Sequence, residues 1–132
     1  MADMIADLKP DLIAGIESRG FLLAAPVSIR LGTGMVMIRK VGKLPGTVVS
    51  HSYDLEYGSD TLQVSDGLVP RGARVVLIDD LIATGGTAQA AVQLLRKVGA
   101  DVVGAAFMIE LDGLGGVAKL GTPARCLLSY PA

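Results

Sequence analysis

The chain has 132 residues and a formal net charge of −1 at pH 7, and 51% of its residues are hydrophobic. This length favours one domain, and the near-neutral charge gives no bulk electrostatic reason to bind nucleic acid or an anionic membrane. No apolar run reaches membrane-helix length, the first ten residues do not resemble a signal peptide, and the single Cys126 excludes an internal disulfide. We therefore expect one cytoplasmic domain over residues 1–132, without nucleic-acid or membrane partners.

The first part of the chain predicts a strand–helix–strand unit. Its expected elements are the end of a helix at 2–8, a strand at 12–16, a helix at 21–31 and a strand at 35–38. Pro10 ends the first helix, and Gly32 is a residue favoured just past a helix end. Because the two strands should be parallel neighbours, the crossover between them should be right-handed.

A long polar segment follows the second strand. Residues 39–63 contain Pro and Gly and lack core periodicity, apart from a candidate hairpin near Val48 and Leu62. Connections of this length are usually lids or binding loops. We therefore expect a flexible lid loop at about 40–63.

The rest of the chain again alternates strands with a helix. Its expected elements are a strand at 75–78, a helix at 88–98, a strand at 102–109, a Gly-rich loop at 112–116 and a strand near 125–129. The alternation predicts an α/β fold, doubly wound, with a mostly parallel sheet flanked by helices.

The segment 75–87, VVLIDDLIATGGT, is the most informative part of the chain. Asp79 and Asp80 follow an apolar strand, and in open α/β sheets ligands bind beyond the carboxyl ends of the strands. The turn 84–87 then opens a helix, whose N-terminus favours an anion, and its glycines allow backbone N–H groups to approach a ligand. We predict a sugar diol held by the carboxylates and a phosphate bound by the turn. A solvated Asp-Asp turn and a tight Gly-Gly bend are the alternatives.

This segment resembles the 5-phosphoribosyl-1-diphosphate (PRPP) binding motif of type I phosphoribosyltransferases. Three further segments resemble the adenine branch of that family, in the right order: GIESRGF at 15–21, IRKVGKLPG at 38–46 and SYDLEYG at 52–58. The likeness extends from about Pro10 to Tyr130. It implies that adenine and PRPP react to AMP and diphosphate, with Mg²⁺ as cofactor, in a homodimer whose lid loop closes over PRPP.

The resemblance also implies roles for individual residues at the phosphate-binding side. Asp79 and Asp80 would hold the ribose hydroxyls and, through PRPP or water, the metal ion. The 5-phosphate would be bound by Ala83, Thr84, Gly85, Gly86 and Thr87. The diphosphate would be bound by Arg19, with Ser18 and Gly20 shaping the backbone around it, and its charge would be neutralised by Arg39, Lys40 and Lys43. A surface position and a solvated charged face are the alternatives for Arg19 and for the basic cluster.

The resemblance assigns the catalytic groups to Arg19 and to two lid residues, Glu56 and Tyr57. Glu56 would assist proton loss from adenine and stabilise a cation-like ribose, and Tyr57 would be a gating aromatic. A cis peptide bond is expected between Glu17 and Ser18. Leu111 would be a wall of the adenine pocket, with an ordinary core position at a strand end as the alternative.

Members of this family usually begin with several tens of residues that would precede Met1 here, and these residues include a hood over the base. We expect the chain to lack this hood, so that the base half of the site is open on one side and activity is reduced. Two alternatives follow. One is an impaired or non-catalytic module that binds PRPP or a nucleotide, and the other is a phosphoribosyltransferase for another base.

Overall fold

The secondary structure consists of seven strands, three helices and two short 3₁₀ turns. The computed structural model describes all residues from 1 to 132. The strands are β1 (Leu12–Ile16), β2 (Gly34–Lys40), β3 (Val48–Asp54), β4 (Ser59–Ser65), β5 (Arg74–Ile82), β6 (Asp101–Asp112) and β7 (Ala124–Pro131). The helices are α1 (Ala2–Ile5), α2 (Phe21–Leu31) and α3 (Gly86–Lys97), and the 3₁₀ turns are Ala6–Leu8 and Val117–Lys119. None of the helices has the length and apolar character that crossing a membrane requires.

All seven strands form one sheet in the order β3-β4-β2-β1-β5-β6-β7. The five strands β2, β1, β5, β6 and β7 are parallel, whereas β4 is antiparallel to both β2 and β3. Helix α2 connects β1 to β2, and α3 connects β5 to β6. The predicted doubly wound, mostly parallel α/β fold is confirmed.

The apolar run of β5 explains why helices cover both faces of the sheet. Residues 75–78 are all fully buried, as expected of a central parallel strand. Alternate side chains point to opposite faces, so Leu77 packs with Phe107 and Leu94 on the α3 side, whereas Ile78 packs on the side of α1 and α2. Strand β5 is therefore held rigidly, and its carboxyl end presents the acidic pair.

The predicted secondary structure differs from the observed one in several places. Strand β2 runs to Lys40 rather than to residue 38, so Arg39 and Lys40 lie on the strand. Strand β5 continues to Ile82, because Leu81 and Ile82 still pair with β6, so the two aspartates lie inside the strand rather than after it. The segment predicted as a lid loop forms the antiparallel hairpin β3–β4, in the region of the candidate hairpin. Leu62 and Val64 of this hairpin are fully buried in the core on the α3 side, which the polar composition of the segment concealed.

Candidate functional site

A cavity of about 310 Å³ opens at the carboxyl ends of β1, β2 and β5. It is lined by Ile16, Glu17, Arg19, Lys40 and the continuous run 79–88. The location agrees with the general rule that ligands of open α/β sheets bind beyond the carboxyl ends of the strands. The structure thus brings the predicted diol-binding carboxylates, the predicted phosphate turn, Arg19 and Lys40 around one volume.

The adjacent carboxylates Asp79 and Asp80 have different environments. Burial raises the pKa of Asp79 to about 7. Burial acts in the same direction on Asp80 and is the largest single influence, but the hydrogen bonds from Arg19 and to Asp79, together with the charge of Arg19, outweigh it and hold the pKa of Asp80 below its usual value. The Arg19 Nε atom lies 2.5 Å from Asp80 Oδ2, and the backbone N–H of Asp80 donates to Asp79 Oδ1 at 2.9 Å. The pair therefore shares less than two full negative charges near pH 7, and a cation at Asp79 would complete its ionisation.

The turn before α3 is built from backbone in direct contact with a second loop. Gly85 has φ 86°, in the left-handed region that favours glycine. A Cβ on Gly85 would lie 2.6 Å from the Gly116 oxygen, and a Cβ on Gly116 would lie 2.3 Å from the Ala83 oxygen. No side chain caps the N-terminus of α3. The free N–H groups of its first turn therefore face the cavity and can bind an anion.

The loop after β1 forms the other wall of the cavity. Its Glu17–Ser18 peptide bond is cis, as predicted. A Cβ on Gly20 would lie 2.4 Å from the Ile16 oxygen and 2.9 Å from Asp79 Oδ1, so only glycine fits beneath the acidic pair. Ser18 lines a smaller polar cavity that adjoins the first one and includes Arg19 and the two aspartates.

The three predicted basic residues do not lie together. Lys40 lines the cavity, whereas Arg39 points to the opposite face of β2, as neighbours on a strand do. The Arg39 guanidinium carbon lies 5.7 Å from the centroid of the Phe21 ring, and Arg39 Nε lies 3.5 Å from Glu17 Oε1. Lys43 is exposed in the turn that follows β2. Diphosphate binding by Arg39 and Lys43 stays a prediction.

The predicted catalytic residues of the lid lie at the tip of the β3–β4 hairpin. Glu56 and Tyr57 fall in the turn between the two strands, and Tyr57 is 89% exposed. Neither side chain is among those that line the cavity. Their roles stay predictions.

Leu81 was not singled out in the sequence, where the resemblance indicated Leu111 as a wall of the base pocket, and the role of Leu111 stays a prediction. Leu111 is half-buried on β6 beside Tyr130 of β7 and lines no cavity. Leu81 instead lines both the polar cavity and an adjoining apolar pocket of about 250 Å³, formed with Leu22, Leu23, Met108 and Ile109. Its position directly after the acidic pair was the available signal. Gly116 was missed as well, since only the folded chain brings it against Ala83.

Comparison with known proteins agrees with this arrangement. Residues 1–121 match the family model described as phosphoribosyl transferase domain. The adenine phosphoribosyltransferase of Gluconacetobacter diazotrophicus is 60% identical over 126 residues, covering 96% of this chain and 72% of that protein. The chain belongs to the adenine phosphoribosyltransferase family. The adenine phosphoribosyltransferase of Rhodospirillum centenum is 55% identical over 130 residues, covering 98% of this chain and 76% of that protein.

Solved structures of the adenine phosphoribosyltransferase family share the fold over nearly the whole chain. The enzyme from Rhodothermus marinus is 42% identical with a TM-score of 0.92, and the match covers 97% of this chain and 74% of that one. The enzyme from Saccharomyces cerevisiae, complexed with an imino-altritol bisphosphate and adenine, is 42% identical with a TM-score of 0.89, covering 96% of this chain and 72% of that one. The resemblance drawn from the four sequence segments is thereby confirmed.

Proposed function

We propose that this chain transfers the phosphoribosyl group of PRPP to adenine and releases AMP and diphosphate. The observation that carries the proposal is a single cavity that combines a carboxylate pair, two cations and the uncapped N-terminus of α3. PRPP has the matching groups, because one ribose carries a diol, a 5-phosphate and a 1-diphosphate. The related yeast enzyme was crystallised with adenine, and the related enzyme of Trypanosoma brucei with AMP, pyrophosphate and ribose-5-phosphate, which supports the same ligand classes here.

In the proposed complex the 5-phosphate lies in the turn before α3. It accepts hydrogen bonds from backbone N–H groups of residues 83–87 and from the hydroxyls of Thr84 and Thr87. The ribose hydroxyls donate to the carboxylates of Asp79 and Asp80. The contact between Gly85 and Gly116 keeps the turn rigid, so the phosphate meets donors that are already oriented.

The diphosphate lies at the opposite end of the cavity, near the loop after β1. Arg19 is the principal cation there, because its side chain is 75% exposed and can turn from Asp80 towards an incoming phosphate. Ser18 and Gly20 shape the backbone around it, Lys40 contributes from β2, and Arg39 and Lys43 add charge from outside the cavity. These cations stabilise the negative charge that develops on the departing oxygen.

At C1 of the ribose the reaction forms one bond and breaks one, and a proton moves from the base to Glu56. Adenine N9 attacks C1 of the ribose while the bond from C1 to the diphosphate oxygen breaks, and its electron pair leaves with diphosphate. Glu56 accepts the proton released from the base, and the β3–β4 hairpin with Tyr57 closes over the reactants. Closure excludes water, which would otherwise hydrolyse PRPP at C1.

We also propose that Asp79 and Asp80 would hold Mg²⁺ together with PRPP, through PRPP itself or through water. Mg²⁺ favours one or two carboxylates combined with substrate phosphates, and Asp79 and Asp80 are such a pair. The backbone N–H of Asp80 occupies one oxygen of Asp79, which leaves the second oxygen for a ligand. No group of three or more His, Cys, Asp or Glu side chains could hold a metal ion, which fits carboxylates that act through PRPP or water. When bound, the ion neutralises charge on the diphosphate.

The base is proposed to bind next to the ribose, against an apolar side chain. Leu111 is the residue indicated by the resemblance, and Leu81 is the residue favoured by the geometry, because it borders the cavity beside the carboxylates. Leu81→Ala and Leu111→Ala separate the two. The variant that removes the side chain in contact with the base should have a higher KM for adenine and an unchanged KM for PRPP.

We further propose a homodimer of single-domain chains in the cytoplasm. The α2 face carries Leu22 and Ile29, one heptad apart, which are 75% and 81% exposed. Exposed apolar patches of this kind mark protein interfaces, and a symmetric dimer would bury the same patch on both copies. Light scattering after size exclusion should give a dimer, with a shift towards monomer for Leu22→Glu.

The decisive experiment is steady-state AMP formation from adenine, PRPP and Mg²⁺, with PRPP binding measured by calorimetry on the same preparation. The double variant Asp79→Asn/Asp80→Asn should bind PRPP far more weakly, and Arg19→Ala should lower turnover. Asp101→Asn is the matched control for the aspartates, because Asp101 is an exposed carboxylate at the amino end of the sheet.

Each outcome has a definite meaning. Turnover with adenine and not with other bases supports the proposal. PRPP binding without turnover would mean a binding module, and turnover with another base would mean a different specificity. Unchanged PRPP affinity in the aspartate variant would refute the ribose assignment.

A further inference from the structure

Lys40 is held by two side chains of the β3–β4 hairpin. Its Nζ atom forms an ion pair with Asp60 Oδ2 and lies 3.3 Å from the Tyr53 hydroxyl. Tyr53 and Asp60 are directly opposite each other in the register of the hairpin, so both side chains leave the same face. That face is the one packed towards α3, because the Tyr53 ring also contacts the core on that side.

The Tyr53 hydroxyl also reaches the phosphate-binding turn. It lies 3.3 Å from Thr87 Oγ1, in the first turn of α3. Three elements therefore meet at one hydroxyl: the end of β2 through Lys40, the hairpin through Tyr53 itself, and α3 through Thr87. Lys40 and Thr87 both line the main cavity, whereas Tyr53 and Asp60 lie behind them.

We propose that Tyr53 and Asp60 are positioning residues, which hold the Lys40 ammonium beside the phosphate-binding turn before PRPP arrives. This inference rests on the proposed function of the cavity. A lysine side chain is long and freely rotating, so an unheld Lys40 would have to be ordered by the substrate at an entropic cost. The β3–β4 hairpin orders Lys40 before the substrate binds. The hairpin that closes the site is thereby coupled to the Lys40 ammonium inside it.

Stability alone does not explain the arrangement. The Lys40 and Asp60 side chains are 39% and 30% exposed, and ion pairs at such positions contribute little to folding. The hairpin is already attached to α3 by other contacts, since His51 Nε2 lies 2.8 Å from Gln93 Oε1 and Lys97 Nζ donates to the Ser50 oxygen at 2.7 Å. His51 is half-buried.

The test uses Asp60→Asn and Tyr53→Phe in the full chain, with Gln93→Ala as the matched control. Gln93→Ala removes a hairpin–α3 hydrogen bond and leaves Lys40 untouched. Each positioning variant should raise the KM for PRPP by about 3- to 10-fold, the range expected from ordering one long side chain, with kcat for the closed complex nearly unchanged. Gln93→Ala should leave both constants unchanged. In a Lys40→Ala background, Asp60→Asn should have no further effect on PRPP affinity.

A second measurement needs no substrate. NMR relaxation of the lysine side chains should find Lys40 ordered in the free protein and as mobile as exposed Lys43 in Asp60→Asn. Equal mobility of Lys40 in both proteins overturns the proposal, as does a KM unchanged in both variants. A lower KM in Asp60→Asn also overturns it, because Asp60 would then compete with phosphate. Absence of turnover in the unmodified chain counts against the proposed function, and the relaxation result still decides the positioning.

Discussion

Gly116→Ala should damage the phosphate-binding turn from outside the cavity. Gly116 has φ −62° and ψ −43°, which alanine adopts freely, so the substitution adds only a methyl group. That methyl would lie 2.3 Å from the Ala83 oxygen and 3.0 Å from the Gly85 nitrogen. Both neighbours are backbone atoms, so the turn 83–85 must move by about 1 Å to reach ordinary contact distance. Overpacking of this kind lowers the free energy of unfolding by ~1–3 kcal/mol.

Two assays follow from this displacement. A loss of about 2 kcal/mol should lower the Tm by roughly 5–10 °C in a domain of this size. Misplacing the phosphate donors by about 1 Å should also lower kcat/KM for PRPP on the order of 10- to 100-fold. Gly86→Ala is the matched control for stability, because nothing lies within 4 Å of its added methyl. A Gly116→Ala protein with unchanged Tm and unchanged kcat/KM would refute the contact between the two loops.

Three further predictions concern the acidic pair, the core and the N-terminal helix. Asp79→Asn should raise the free energy of unfolding of the metal-free protein at pH 8 by ~2–3 kcal/mol, measured by urea unfolding. Raising the pKa of Asp79 from 3.8 to about 7 implies a cost of ~4 kcal/mol, and solvent screening reduces it. Because that pKa is raised on folding, the unmodified protein loses stability as pH rises from about 4 to about 7, so the gain should vanish near pH 4. Phe107→Ala should lower the free energy of unfolding by about 3–5 kcal/mol, because Phe107 is fully buried. Leu127→Ala, at a site 49% exposed, should lower it far less. Equal losses in the two variants would contradict the assigned core. Arg125→Gln should speed amide hydrogen exchange over residues 2–8, because Arg125 Nη1 donates to the Met4 oxygen and to Asp7. The hydrogen bond from Arg125 lowers the pKa of Asp7, so the effect of the substitution should fade as pH falls through that pKa. Unchanged exchange at pH 7 would show that Arg125 does not hold the N-terminal helix.

The local sequence predicted most of the elements and the residues at the centre of the site. The apolar run of β5, the glycines of the turn 84–87 and the amphipathic α3 are short-range patterns that favour a ligand site in an alternating α/β chain. They predicted correctly that the acidic pair and the phosphate turn would border one cavity. The cis bond between Glu17 and Ser18 was implied by the family resemblance of the segment around Arg19, and the structure shows it.

Side-chain direction at the ends of strands was not contained in the local pattern. Arg39, Lys40 and Lys43 form one basic cluster in the sequence, but the period of a strand sends Arg39 to the Phe21 side and Lys40 into the cavity. The same uncertainty affected the base wall, where the choice between Leu81 and Leu111 depends on how far β5 extends along β6.

The sequence by itself determined the order of most strands and helices, because that order follows from short-range periodicity, and it indicated the family through the four segments that resemble it. Only the tertiary structure decided which side chains meet across the chain. Gly116 against Ala83, and Lys40 held by Asp60 and Tyr53 beside Thr87, join residues far apart in sequence. Such contacts follow from sheet register and loop packing, which arise from the whole core rather than from any one segment.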